Sequence, residues 1–173
     1  MEFSIEKSIS VLEKTPLALY ELLFDLPEEW VMFNEGGETW SPYDIVGHLV
    51  HGESTDWINR LEIILSDSAY KKFTPFDRFA QFNESKGKEM KTLLDEFEIL
   101  RTRNIAIIKS KNITNELYEQ IGIHPVFGNV TVKNLISTWV VHDLNHLAQI
   151  SRVMAYQYRS GVGPWKEFLR ILK

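Results

Sequence analysis

The sequence predicts an all-α protein, a four-helix bundle with a short terminal helix. Four long segments carry apolar residues at helical spacing, and connections of medium length separate them. No internal repeat, low-complexity tract or linker divides the chain. We therefore expect residues 1–173 to form a single domain.

The first two helices are predicted over residues 4–26 and 42–66. Ser4 suits the N-cap of the first helix, and Pro16 predicts a kink or a restart within it. Ser41 followed by a proline is a strong start signal for the second helix. The glycine-containing segment between these helices reads as a loop.

The third and fourth helices are predicted over residues 85–111 and 131–158. The third shows an apolar face against a charged one, and the fourth has the most regular apolar arc of the chain. After a glycine-rich break, residues 165–172 are expected to form the terminal helix.

The connections before and after the third helix are irregular. Residues 67–83 hold Pro75 and several aromatics, and residues 112–129 form the second connection. Within the latter, residues 123–129 predict a turn with extended backbone, because Pro125 disfavours helix just before it.

Composition excludes several classes of function. A formal charge of -5, a pI near 5.6 and the lack of a basic run argue against binding nucleic acid. With no cysteine, disulfides, thiolate metal sites and a cysteine nucleophile are excluded. That composition fits a reducing cytoplasm. Because no signal-peptide pattern or membrane-length apolar run is present, we expect a cytoplasmic protein without a membrane partner.

His142 and His146 are the most informative residues of the chain. Their spacing of four places both imidazoles on one face of the fourth helix, where they can chelate one divalent cation. The helical wheel directs this face towards the core seam. A pair of core histidines that hydrogen-bond their neighbours would give the same pattern, so the spacing alone does not separate the two interpretations.

The residues leave the third ligand open. His48 and His51 lie on opposite margins of the apolar arc of the second helix, and either reaches a site at the edge of a bundle. Glu53 and Asp56 are carboxylate alternatives on that helix, although a solvated or salt-bridged role suits each better. His124 stands in a loop before a proline.

Two histidine motifs stand out in the sequence, Trp40-Ser-Pro-Tyr-Asp-Ile-Val-Gly-His48-Leu and Trp139-Val-Val-His142-Asp-Leu-Asn-His146-Leu-Ala-Gln149-Ile. Together they resemble the motifs of the DinB-like (YfiT-like) superfamily of metal-binding four-helix bundles. Further agreement lies in Leu12-Glu-Lys-Thr-Pro16, His124-Pro-Val-Phe-Gly128 and Val162-Gly-Pro-Trp165, so the resemblance extends over nearly the whole chain.

The resemblance implies an up-down-down-up bundle and a divalent ion, zinc or nickel, bound by His48, His142 and His146. It also implies a homodimer that acts on a small molecule, since the superfamily includes thiol-dependent transferases and isomerases. The aromatics between Phe73 and Phe82 are a candidate dimer contact.

Spacing indicates which side chains surround the predicted ligands. Gln149 lies one turn beyond His146 on the same side, where it can orient a ligand or substrate. Glu53 is a candidate general base. Asp143 and Asn145 lie off the histidine face, and we expect surface or capping roles for them. For the tryptophans of this region, core packing is favoured over lining a substrate pocket.

Three nitrogen ligands would leave coordination positions open, as in catalytic zinc sites. Together with the resemblance, this predicts a metal-dependent enzyme, in first place one that transfers a low-molecular-weight thiol to a small electrophile, or else a related small-molecule transferase or hydrolase. The alternative is a non-catalytic metal- or ligand-binding protein of a stress response. A metal that only holds the helices together is a third interpretation.

Overall fold

The first predicted helix is two helices in the computed structural model, which describes residues 2–173. They are α1 (Ile5–Leu12) and α2 (Thr15–Leu23). Pro16 lies in the first turn of α2, where a missing N–H is tolerated. The same missing N–H leaves the carbonyl of Leu12 without its helical donor. The restart predicted at Pro16 is confirmed.

The next segments are α3 (Glu28–Met32), α4 (Pro42–Thr55) and α5 (Trp57–Leu65). The short α3 lies in the segment predicted to be a loop. At the start of α4, Ser41 Oγ accepts from the backbone N–H of Asp44, and the Asp44 carboxylate accepts from the N–H of Ser41. This reciprocal capping box gives the second helix its predicted start.

A single residue, Asp56, separates α4 from α5, where the sequence predicted one continuous helix. Its backbone has φ -113° and ψ -68°, away from helical values. Just before it, the hydroxyls of Ser54 and Thr55 both donate to the carbonyl of His51, at 3.0 and 2.7 Å. Such back-bonding competes with the helical pattern and bends helices. The two helices nevertheless form one bent rod, since Arg60 N–H donates to the Asp56 carbonyl at 3.0 Å.

The remaining α-helices are α6 (Gln81–Glu84), α7 (Met90–Ser110) and α8 (Val132–Gln157). The third long helix begins later than predicted, because Gly87 has a φ of +79° that ends the preceding turn. Thr131 caps α8 in a second capping box. None of the helices formed by residues 2–173 is both long enough and apolar enough to cross a membrane.

The connection between α7 and α8 contains a small antiparallel hairpin, β1 (Ile121–His124) and β2 (Gly128–Thr131). Ile121 pairs with Thr131, and His124 pairs with Gly128 across the turn. The extended backbone and turn predicted for residues 123–129 are therefore confirmed, while the pairing into strands was not foreseen.

The predicted terminal helix is present as two 3-10 helices, Gly163–Phe168 and Arg170–Leu172. A positive φ of +54° at Gly163 begins this segment. Trp165 and Phe168 are exposed, so the segment buries too little apolar surface to hold a longer helix.

Two apolar clusters at opposite ends of the bundle define the directions of the helices. One cluster joins α1, α5, the end of α7 and the start of α8, through Ile5, Ile9, Leu12, Trp57, Leu61, Ile64, Ile105, Ile108, Val132, Leu135 and Trp139. The other joins α2, the starts of α4 and α7, and the later part of α8, through Leu19, Leu23, Ile45, Val46, Leu49, Leu93, Leu94, Phe97 and Ile150. The second and third helices thus run parallel to each other and opposite to the first and fourth, which confirms the up-down-down-up bundle.

A layer of buried polar side chains lies between these clusters. On each of the three helices concerned, the polar residues fall in sequence between the two sets of apolar ones: Glu53 on α4, Arg101 and Asn104 on α7, and Asp143 and His146 on α8. This layer holds the candidate site.

Candidate metal centre

His48 on α4 and His142 and His146 on α8 meet at one point of the polar layer. Nε2 of His142 lies 3.2 Å from Nε2 of His48 and 3.1 Å from Nε2 of His146. One ligand atom from each ring lies within 4.8 Å of the others. The structure thus brings together the three side chains predicted as ligands. His51, the alternative on α4, instead pairs through Nδ1 with Glu84 Oε2 at 2.8 Å.

Gln149 fixes the tautomer of His146. Its Oε1 lies 2.8 Å from His146 Nδ1. An amide oxygen can only accept, so Nδ1 carries the proton and Nε2 keeps its lone pair towards the other histidines. The Nδ1 atoms of His48 and His142 are buried and have no hydrogen-bond partner within residues 2–173.

All three imidazoles are held in the neutral form. Burial lowers the pKa of His48 and of His142 to about 3, and the nearby His146 adds to the effect. Burial also lowers the pKa of His146. Metal ligation requires the neutral ring, and a set of imidazole nitrogens suits zinc, nickel or copper. The donor set therefore fits a divalent transition metal without a change of protonation at neutral pH.

The cluster forms part of the wall of a cleft of about 550 Å³. The Trp40 ring lies 5.0 Å from His48, and Trp57 meets His142 edge-on at 5.1 Å. Aromatic side chains thus flank the imidazoles on two sides. The other side chains lining the cleft are Glu38, Thr39, Asp56, Arg60, Phe76, Arg78, His124, Gln149 and Arg152.

Three arginines give this wall a cationic character, but two of them are paired. Arg60 contacts Asp56 at 2.7 Å, and Arg152 contacts Glu35 at 2.7 Å. Arg78 lies over the rings of Phe79 and Trp40, at 4.9 and 5.7 Å. Within the part of the chain that the structure describes, Arg78 makes no salt bridge.

A buried ionic network adjoins the histidines. Arg101 donates to both carboxylate oxygens of Asp143, at 2.7 and 3.0 Å, and to Glu53 Oε1 at 2.8 Å. Asn104 and Trp139 also donate to the Glu53 carboxylate, each at 2.9 Å. The surface or capping role predicted for Asp143 was wrong, because its carboxylate is fully buried against Arg101. Asn145 is exposed, as expected.

Glu53 is connected to the histidines through aromatic rings. Trp139 stacks on Trp57 with centroids 5.3 Å apart, and Trp57 contacts His142. Of the tryptophans, Trp139 is fully buried in the core, Trp57 both packs in the core and lines the cleft, and Trp40 lines the cleft.

Sequence reasoning missed Arg101 and Asn104. A signal for them exists, because both fall on the apolar face of α7 between Phe97 and Ile108, at helical spacing. A charged residue in such a stripe is buried only when it is paired.

This fold and cluster define the protein as an up-down-down-up helical bundle with a three-histidine centre open to a cleft. Residues 12–150 match the family model of the DinB superfamily, and the chain belongs to that superfamily. Its structure is similar to that of YfiT from Bacillus subtilis, which is described as a probable metal-dependent hydrolase with an unusual four-helix bundle topology.

The likeness to YfiT supports the fold. The two structures superpose with a TM-score of 0.75 at 21% identity, over 92% of this chain and 91% of YfiT. No curated protein matches the sequence significantly.

Proposed function

We propose that this protein is a divalent-metal-dependent enzyme that acts on a small molecule in the cleft. The observation that carries the proposal is the convergence of three neutral imidazole nitrogens, from His48, His142 and His146, at the wall of an open cavity. Three protein ligands leave coordination positions for water or substrate, as in catalytic zinc sites. Zinc and nickel are the ions that we expect.

Bound at this centre, such an ion would polarise a substrate oxygen or favour the deprotonated form of a bound water or thiol. The protein's own residues supply orientation and charge. Gln149 holds the His146 ring in the ligating tautomer. Arg78, which forms no salt bridge in residues 2–173, gives the cleft a cation that can bind an anionic part of the substrate.

The nucleophile distinguishes two reactions. The chain contains no cysteine, so a thiol nucleophile would come from a low-molecular-weight co-substrate. This gives our first candidate, transfer of that thiol to a small electrophile. The description of YfiT favours water as the nucleophile, and hydrolysis is the second candidate.

A non-catalytic metal- or ligand-binding role in a stress response is the alternative. The observation that favours it concerns the groups around the histidines. In the part of the chain that the structure describes, Gln149 is the residue outside the cluster whose side chain hydrogen-bonds one of the three histidines. That side chain is an uncharged amide. Within residues 2–173, no carboxylate accepts a hydrogen bond from any of the three imidazoles.

Metal content provides the first test. We expect purified protein to hold one divalent ion per chain by elemental analysis, and His48→Asn or His142→Asn to lose most of it. His51→Asn is the matched control, since His51 is buried on the same helix but pairs with Glu84. Equal metal content in H48N and H51N would contradict the assigned ligands.

Activity provides the second test. Metal-loaded protein is incubated with monochlorobimane and bacillithiol, mycothiol or glutathione, and separately with p-nitrophenyl acetate. Thiol transfer predicts thioether formation that H142N abolishes and H51N retains, while hydrolysis predicts ester cleavage with the same dependence. Retention of the ion without turnover of either kind would support the non-catalytic role.

We also propose a homodimer. Among the aromatics suggested for its contact, Phe79 and Phe82 are exposed, but Phe73 is only 2% exposed and packs in the core. Light scattering of the wild type and of Phe79→Ser tests this part of the proposal. A monomeric wild type would contradict it.

A further inference from the structure

His124 is a histidine of the cleft that stands outside the three-histidine cluster. It ends β1, at the turn of the hairpin, and its side chain lines the same cleft as His48, His142 and His146. The wall of the cleft is thus formed both by the bundle and by the connection between α7 and α8.

The turn of the hairpin determines which nitrogen of His124 carries the proton. The backbone N–H groups of Val126 and Phe127 both donate to His124 Nδ1, at 3.1 and 3.2 Å. An amide N–H can only donate, so Nδ1 is an acceptor and the proton lies on Nε2. With Nδ1 turned towards its own backbone, the polar edge that His124 can offer to a ligand is Nε2–H.

Two aromatic side chains contact the ring in this orientation. It stacks on Phe127, with centroids 4.6 Å apart and planes 20° apart, and Phe73 meets it edge-on at 6.2 Å. The hairpin is itself tied to the preceding connection, because Phe73 N–H donates to the Ile123 carbonyl at 2.9 Å. Gly122 permits the close approach of the Phe73 side chain to the hairpin, since a Cβ there would lie 2.6 Å from the Phe73 ring.

The ring also stays neutral. Burial lowers the pKa of His124, and the nearby Arg60 lowers it further. A neutral imidazole with an occupied Nδ1 cannot serve as a base, but its Nε2–H can donate a hydrogen bond to an oxygen that gains negative charge.

We propose that His124 is a substrate-binding residue whose Nε2–H donates to a carbonyl or carboxylate oxygen of the molecule held at the three-histidine centre. This inference rests on the proposed function and narrows it to substrates that carry such an oxygen. Arg78, on the wall of the same cleft, has a charge that suits the same class of ligand. His124 would then hold the oxygen with a single neutral donor, while the Arg78 guanidinium offers charge-assisted donors to the same class of ligand.

Two substitutions distinguish the roles of the two ring nitrogens of His124. In His124→Asn, the amide oxygen occupies the place of Nδ1 and can accept from the turn, but nothing reaches the place of Nε2. In His124→Gln, the longer amide can place its N–H near the former Nε2. A role confined to the hairpin would make H124N resemble the wild type, whereas a role in the cleft would make H124Q the better substitute.

The first measurement needs no metal. Long-range proton–nitrogen correlation spectra of the wild type, with H124N as the assignment control, report which ring nitrogen is protonated. We expect Nε2 to be protonated and Nδ1 to be bare at neutral pH. A protonated Nδ1 would overturn the inference.

The second measurement uses cobalt-loaded protein and acetohydroxamate, an oxygen ligand of open metal sites, followed by visible absorption. We expect H124N to bind cobalt like the wild type but to bind acetohydroxamate roughly tenfold more weakly, which is the effect of one lost hydrogen bond. H124Q should recover part of this affinity. Thermal unfolding of both variants checks that the hairpin remains folded.

The outcomes distinguish the two proposals. If the wild type binds no metal, the proposed function fails, and the role of His124 fails with it. If metal and acetohydroxamate bind and H124N binds acetohydroxamate as tightly as the wild type, only the role of His124 is refuted.

Discussion

The three-histidine cluster and the Arg101 network are built on the same helices but satisfy their polar groups in opposite ways. Glu53 follows His48 on α4 by little more than one turn, and Asp143 directly follows His142 on α8. In the network, every carboxylate oxygen accepts a hydrogen bond from Arg101, Asn104 or Trp139. In the cluster, as far as residues 2–173 show, the Nδ1 atoms of His48 and His142 have no hydrogen-bond partner, and the three Nε2 atoms lie close together.

One layer of the bundle thus contains two kinds of polar site, one that stabilises the fold and one that can bind a ligand. A buried polar group that finds its partners inside the protein contributes to the folded state and has little left to offer a ligand. The imidazoles line an open cleft, and within residues 2–173 the hydrogen-bond contacts of their Nε2 atoms are with one another and with no other side chain. The network therefore serves the fold, while the cluster is available to an ion.

The network also connects the layer to the first helix. Arg101 Nη1 donates to the Leu12 carbonyl at 2.7 Å, which is the carbonyl that Pro16 leaves without a helical donor. Within residues 2–173, Arg101 Nε has no hydrogen-bond partner. Arg101 thus joins α1 to α4 and α8 through its two Nη atoms.

The largest effect is expected from Arg101→Met, which breaks the network and spares the cluster. Two carboxylates would remain buried without their cation, and removal of one partner of a buried pair costs about 3–5 kcal/mol. We expect the free energy of unfolding, measured with urea, to fall by this amount. In the folded fraction, the affinity for zinc should change far less.

Arg103→Met is the matched control for this substitution. Arg103 lies on the same helix but is exposed, so its loss should change stability little. Equal unfolding curves for R101M and R103M would show that the network does not hold the layer together.

The cluster was more predictable from the sequence than the network. The spacing of His142 and His146 is a local feature that helix geometry converts directly into a shared face. The third ligand required comparison with known motifs, because His48 and His51 lie on the margins of the same apolar arc. His48 contacts α8, whereas His51 pairs with Glu84. This difference depends on tertiary packing that no local sequence pattern predicts.

The network depends on contacts between distant parts of the chain. The Pro16 break, Arg101 and Asp143 are each visible in the sequence as an isolated irregularity. Their interaction follows only when four helices place them at the same level of the bundle. The hairpin is another example, because the geometry of the turn after Pro125 determines that the proton of His124 lies on Nε2.

A smaller effect on stability is expected from Asp56→Asn, which removes the acidic partner of the Asp56–Arg60 ion pair. Asp56 pairs with Arg60 in the cleft wall, yet burial outweighs that pairing and raises its pKa from 3.8 to about 6. Between these pH values the folded state binds the proton more tightly than the unfolded state, so stability falls as pH rises.

In D56N this loss of stability with rising pH is absent, because the asparagine side chain does not ionise. We expect the stability of the variant relative to the wild type to increase from pH 3.8 to about 6. At about 1.4 kcal/mol per pKa unit, the increase is at most about 3 kcal/mol. Urea unfolding over this range measures it, and the acidic end, where both side chains are neutral, is the internal control. A difference that does not vary with pH would show that Asp56 ionises as freely as in the unfolded chain.

The smallest effect is expected from Gln149→Leu, which removes the hydrogen-bond partner of one ligand. Without the Gln149 oxygen, the His146 proton is no longer held on Nδ1, and the ring is free to rotate. Loss of such a partner weakens metal binding by about 10–100-fold. We expect this weakening in competition titrations of zinc with a chelator, with little change in the unfolding of the metal-free protein.

Gln157→Leu on the same helix is the control, because it removes a hydrogen bond to the Trp30 carbonyl far from the histidines. It should leave the affinity for zinc unchanged. If Q149L and Q157L bound zinc equally well, the ligating tautomer of His146 would not depend on Gln149. The cluster would then differ still further from the Arg101 network, because the surrounding packing would maintain its geometry without a hydrogen-bond partner.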